Sequence, residues 1–342
     1  MNKKRYCLYL AIIITGVFIC LFTGGRIAAA FTEYTDAHYW KLYKEAQKGY
    51  IAPWYSDGLH IVDEGFINEL GRLDKSEKLA PEDGKVIVIG SSLSAEEYDP
   101  EKIVLDDKYD FYVFAAGGGS WRSNIVLDNL IQTEYRYTAK DIVKLEVSYS
   151  TFRYAGSDTT AETVIKKWGA YSVSSDYSVK KSPVIFTPLY NASADLMRIT
   201  NVVSLTRSYF SAKDREAQIG PGNYRNNYFN HTLTASYFSV TDEKIKYIEQ
   251  QLLRLKKTAT PVVELSPIAP GLQATEHGMQ YMKFTDDTFI PWLEKNNIDY
   301  LDYRQGYSED EFTDGAHLGY TASGKYTRKL VTDINAIIER IK

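Results

Sequence analysis

The sequence predicts an α/β protein, a three-layer α/β/α sandwich around a five-stranded, mainly parallel sheet. Three observations predict it. Short, nearly all-apolar runs recur between residues 85 and 303, amphipathic helical patterns lie between them, and a long amphipathic helix follows the last run. Runs that are apolar at every position, not every second one, suit strands buried on both faces. Strands that alternate with helices form parallel sheets covered by those helices.

The first run is Lys85-Val86-Ile87-Val88-Ile89-Gly90, and the others fall at 111–115, 142–147, 261–265 and 298–303. A helix over 121–132 follows the second strand. Another over Asp242–Leu255 precedes the fourth, with Ile245, Ile248, Leu252 and Leu255 at helical spacing. A helix over 286–295 precedes the fifth strand. The last helix, 322–341, aligns Tyr326, Leu330, Ile334, Ile337, Ile338 and Ile341 on one face. Ahead of the sheet, 31–84 reads as a stalk and lead-in with helical stretches at 37–48 and 64–73. Residues 152–240 break the βα alternation with a mixture of aromatic and polar residues. They read as an insertion within the 85–342 domain, capping the sheet's carboxyl edge, where open α/β sheets bind their ligands.

The N-terminus has its own signature. Lys3, Lys4 and Arg5 precede an uncharged, mostly apolar run over 6–25. About 20 apolar residues span a bilayer as a helix, and a preceding basic flank stays inside. The expectation is a retained single-pass anchor over 1–30 with the rest of the chain extracytoplasmic. Ala28-Ala29-Ala30 offers the competing reading, a cleaved signal peptide; either way the bulk of the chain is exported. The only two cysteines, Cys7 and Cys20, lie in this segment, so the remainder has no disulfide framework, thiol nucleophile or cysteine metal site.

Composition excludes further classes. With 44% hydrophobic and 25% charged residues the chain can bury a core. A net charge of −4 without a basic stripe argues against a nucleic-acid partner. His38, His60, His231 and His277 stand at no metal-ligand spacing, so no metal or other cofactor is expected. Tyrosine is abundant, 28 against 14 Phe and 5 Trp. Its flat apolar face and polar tip suit sugar surfaces as well as core packing. In the insertion, Trp168, Tyr171, Tyr190, Tyr224 and Tyr228 are the candidates for stacking on substrate.

Three motifs carry chemistry. Gly90-Ser91-Ser92-Leu93-Ser94 follows the first strand, which sets a serine on the strand-to-helix turn, next to a helix N-terminus that favours negative charge. The second strand runs into Gly117-Gly118-Gly119, whose amides can approach a developing oxyanion unhindered. Asp314-Gly315-Ala316-His317 precedes the last helix; an Asp three residues before a His can hold one ring nitrogen while the other faces a serine. Each motif alone is common as a plain turn. Their order along one chain is the stronger signal.

That order resembles the SGNH/GDSL hydrolase superfamily. Gly90-Ser91-Ser92 matches its first block, Gly-Asp-Ser, with the middle residue changed; Gly117–Gly119 matches its glycine block, and Asp314 and His317 match its last block. The likeness covers roughly 85–150 and 260–341. The Gly-Ser-Ser variant, the N-terminal anchor and the long insertion after the third strand are similar to D-alanine-transfer proteins of teichoic-acid modification and to membrane-linked SGNH proteins of exopolysaccharide O-acetylation. The resemblance implies a flavodoxin-like fold and a Ser92–His317–Asp314 triad, with the amides of Ser92, Gly117 and Gly118 as oxyanion donors. It implies acyl transfer, acetyl or D-alanyl, to or from a cell-envelope glycopolymer, with a multi-pass membrane acyltransferase as a possible partner. One departure stands out. The family's third block supplies an Asn after the third strand, whereas this chain reads Leu145-Glu146-Val147-Ser148-Tyr149-Ser150. Ser148, Ser150 or Tyr149 could replace it, or backbone amides could suffice; losing one such donor costs about 10²–10³ in turnover. The rival reading is a non-catalytic module that binds a glycan or a membrane acyltransferase.

Overall fold

Every residue of β1 (Gly84–Ser91) and of β3 (Ile142–Glu146) is buried, as expected of strands covered on both faces. The computed structural model describes residues 9, 11–16, 62–99, 102–152, 160–168, 170–182, 238–312 and 316–342. Around β1 and β3 lie β2 (Tyr109–Ala116), β6 (Thr260–Leu265) and β7 (Asp299–Asp302). All five pair in parallel in the order β2-β1-β3-β6-β7.

The sheet reverses its winding beside β1, since β2 lies on one side and the later strands on the other. Such a switch point opens a crevice at the carboxyl ends of the central strands. Two registers define that edge. Ser91 pairs with Ala116 across β1 and β2, and Glu146 pairs with Glu264 across β3 and β6.

Helices supply the covering. After α1 (Val62–Leu79), which packs on β2, come the short α2 (Ser92–Glu96) and α3 (Trp121–Glu134), which packs on β1. α4 (Thr160–Trp168) and a small antiparallel hairpin of β4 (Tyr171–Val173) and β5 (Val179–Lys181) lie between β3 and α5 (Asp242–Leu255). α6 (Pro270–Gln273) and α7 (Glu276–Phe284) lead through a π-helical turn at Thr285–Phe289 into α8 (Ile290–Lys295). α9 (Tyr320–Ile341) closes the fold, burying Tyr326, Leu330, Ile334, Ile337 and Ile338.

The five predicted strands are therefore present. The predicted helix at 286–295 proves to be the second half of a longer helical stretch that begins at Glu276. The segment predicted to lack βα rhythm contains α4 and the β4–β5 hairpin among its described residues. The predicted helix at 37–48 lies outside the described residues, and so does most of the predicted anchor at 1–30. Residues 11–16 are helical, with Ile12, Ile13 and Ile14 exposed. Among the described residues no helix is long and apolar enough to cross a membrane.

Candidate active site

The site begins at Gly90, near the end of β1, where a side chain would crowd its neighbours. A Cβ on Gly90 would stand 2.5 Å from Glu146 Oε2 and overlap the Ser94 hydroxyl. With no side chain there, the end of β1 closes onto the buried carboxylate of Glu146. Ser91 is the N-cap of α2, and its hydroxyl oxygen accepts from the Leu93 amide at 3.3 Å. The Ser91 hydroxyl proton goes to Glu146 Oε1 at 2.8 Å. Ser91 is 2% exposed. Both capacities of its hydroxyl are thus engaged in structure.

Ser92 is placed differently. It is partly exposed, and its Oγ lies 2.9 Å from Nε2 of His317. That is the contact a nucleophile makes with its general base. The strand and the loop that bring the two together are far apart in sequence. His317 sits just before α9, on a loop whose two sides are joined by a bridge between Phe312 and Leu318, both buried. The Gly319 amide donates to the Glu311 carbonyl at 2.7 Å and fixes the entry to α9. Asp314, predicted to orient His317, lies outside the described residues.

The glycine cluster lies alongside. Because Ser91 pairs with Ala116, the turn after β2 starts next to the strand end that carries Ser92. The Gly119 amide donates to the Ala116 carbonyl at 2.9 Å, so Gly117 and Gly118 form the corners of the turn. Gly118 has φ +63, a backbone conformation that glycine adopts without penalty.

The residues named for the missing third-block Asn have other roles. The Ser148 hydroxyl donates to Glu146 Oε1 at 2.7 Å, and Ser150 Oγ lies 2.7 Å from Ser148 Oγ. A carboxylate only accepts. Ser148 therefore directs its proton at Glu146, and Ser150 donates to Ser148. Tyr149 is buried against Phe238 and Tyr281. Of the substrate-stacking candidates, Tyr171 is buried, and its hydroxyl donates to Glu134 Oε1 at 2.5 Å. This bond ties the β4–β5 hairpin to α3. Trp168 ends α4, with its side chain outside the described part; Tyr190, Tyr224 and Tyr228 lie outside the described residues.

Sequence reasoning missed the buried charged cluster beside the Ser91–Ser94 turn. Lys144, Glu146 and Glu264 are each no more than 1% exposed. Lys144 forms an ion pair with Glu264 and lies over the ring of Tyr98, 5.4 Å from its centroid. Burial pushes its ammonium down to about 7 against the pull of Glu97 and Glu146. A signal was present. Lys144 and Glu146 alternate with Val143, Leu145 and Val147, so both charges fall on one face of a strand with no solvent side. Charges at such positions need partners in the fold.

No family model matches the chain, and no curated protein matches it.

Proposed function

We propose that this chain is an extracytoplasmic serine acyl-transfer enzyme of the SGNH/GDSL type, with Ser92 as nucleophile, His317 as general base and Asp314 as its orienting carboxylate. The observation that carries the reading is the 2.9 Å contact between Ser92 Oγ and His317 Nε2, formed across 225 residues of sequence. The sheet order, with the switch point beside β1, agrees with a flavodoxin-like, three-layer α/β/α SGNH domain. An insertion after its third strand and an N-terminal transmembrane helix over 1–30 complete the proposed architecture.

In this reading His317 takes the Ser92 proton as Oγ attacks an ester carbonyl. The amides of Ser92, Gly117 and Gly118 hold the oxyanion. The tetrahedral intermediate collapses to an acyl-enzyme, and the imidazolium returns the proton to the departing alcohol. A second hydroxyl, from water or from a glycan, then gives its proton to His317 and attacks the acyl carbon; the imidazolium hands that proton to Ser92 Oγ as the acyl–oxygen bond breaks, which restores the free enzyme. The acceptor or donor is a cell-envelope glycopolymer carrying O-acetyl or O-D-alanyl groups. A multi-pass membrane acyltransferase is the partner that would supply an activated acyl group from the other side of the bilayer.

A fluorophosphonate probe tests this directly, because it reacts with an activated serine. The expected result is one labelled peptide, carrying the probe on Ser92, together with acyl release from an O-acylated glycan. Folded protein that takes up no probe rejects the enzyme and leaves the non-catalytic binding module.

A further inference from the structure

We infer that Glu146 is a positioning residue that holds the Ser92 turn in its reactive shape, an inference that rests on Ser92 being the nucleophile. Its carboxylate is 1% exposed and receives four hydrogen bonds. Oε2 accepts from the Ser91 amide at 2.8 Å and the Ser94 amide at 3.1 Å. Oε1 accepts from the Ser91 hydroxyl at 2.8 Å and the Ser148 hydroxyl at 2.7 Å. Three of these donors belong to the segment that carries the nucleophile, and the fourth to the loop after β3.

The pattern of amides gives the contact its purpose. A helix N-terminus leaves its first amides without intrahelical partners. Here Glu146 takes those of Ser91 and Ser94, and the Ser91 hydroxyl takes that of Leu93. The Ser92 amide is not among them. The carboxylate thus grips the turn on both sides of the nucleophile, leaving to the oxyanion the amide that the chemistry requires. The bare Gly90 is what allows this approach, since a side chain there would collide with Oε2. Asn124 anchors the strand end from the α3 side, its Nδ2 donating to the Glu146 carbonyl at 3.2 Å. Lys144 lies on the same face of β3, and Glu264 and Glu97 are the other carboxylates around that lysine.

Misplacing a reacting group by about 1 Å costs on the order of 10²-fold in rate. The experiment compares the full-length wild type with Glu146→Ala and Glu146→Gln. It measures the rate constant of fluorophosphonate labelling, the kcat and KM for a small acetyl ester, and the thermal midpoint. Glu146→Ala is expected to label about 10²-fold more slowly, with kcat falling and KM unchanged. Glu146→Gln keeps one acceptor oxygen for the two amides. It is expected to lose only about three- to tenfold, the equivalent of one ordinary hydrogen bond.

A purely structural role would lower the thermal midpoint and leave the rate constant of the folded fraction intact; that result overturns the inference. Labelling of Glu146→Ala at the wild-type rate overturns it too, as does a Gln variant as slow as the Ala variant. If Glu146→Ala does not fold, Glu146→Gln decides alone, and a wild-type rate there rejects the role. A wild type that does not label at Ser92 ends the acyl-transfer reading and takes this inference with it. A wild type that labels, with variants that match it, ends this inference alone.

Discussion

Two adjacent serines at the end of β1 have opposite environments, and the difference predicts their mutants. Ser91 has its proton on Glu146 and its lone pair under the Leu93 amide, while Ser92 faces His317. Ser92→Ala is expected to abolish probe labelling and turnover. His317→Ala should lose as much turnover as Ser92→Ala, and the double variant no more than either, because members of a catalytic unit do not contribute additively. Asp314→Asn should cost less than either. Ser91→Ala removes an N-cap and one bond to Glu146, so it should cost about 1 kcal/mol of stability and leave labelling within roughly tenfold. Steady-state kinetics and intact-mass labelling measure all five. Loss of labelling in Ser91→Ala with Ser92→Ala still reactive would assign the nucleophile to the wrong serine. Ser92 was legible in the sequence because a strand, a turn and a helix bracket it. Its support by Glu146 was not, because that contact joins residues from two strands, and the residue type says only that a buried carboxylate needs donors.

At the scale of elements, β3 is the least ordinary strand of the sheet. It places Lys144 and Glu146 on one face, and β6 brings Glu264 beside them in register with Glu146. In its protonated form Lys144 offsets carboxylates that have lost their water, against the burial that pushes its own ammonium down to about 7. Removing one partner of a buried pair leaves the other uncompensated and typically costs about 3–5 kcal/mol. Lys144→Met is therefore expected to destabilise by that order in urea denaturation, and adding Glu264→Gln should recover a large part of it. An unchanged midpoint in the single variant would show that Lys144 is not the counter-charge. The apolar runs made all five strands readable, since burial on both faces demands such runs. The β4–β5 hairpin was not readable. Its strands are three residues each, and its turn puts Tyr177 at φ 64, where glycine or asparagine would have been the usual signal. The α7–α8 stretch was read short because Asp286, Asp287 and Pro291 look like a helix start, whereas a π-helical turn carries the helix through them.

At the scale of the whole molecule, topology does what no local pattern can. β1 is flanked by β2 and β3, and the loop before α9 returns to the same carboxyl edge, so the first and last motifs meet. The order of motifs was legible for that reason, while the insertion was legible only as a break in rhythm. The described core runs from Phe66 to Ile338. In that segment, Ile12, Ile13 and Ile14 are 58%, 61% and 48% exposed, side chains that water does not favour and a bilayer does. The proposed anchor and the proposed catalytic domain are expected to separate cleanly. A chain lacking residues 1–30 is expected to fold with the thermal midpoint of the full chain and to label at Ser92 at the same rate. It should move from the membrane fraction to the soluble fraction on cell fractionation. Full-length protein recovered without detergent in the soluble fraction, still beginning at Met1, would reject the anchor. Mature protein beginning near Phe31 would reject its retention and keep export. A truncated chain that unfolds would mean that the N-terminal segment belongs to the folding unit.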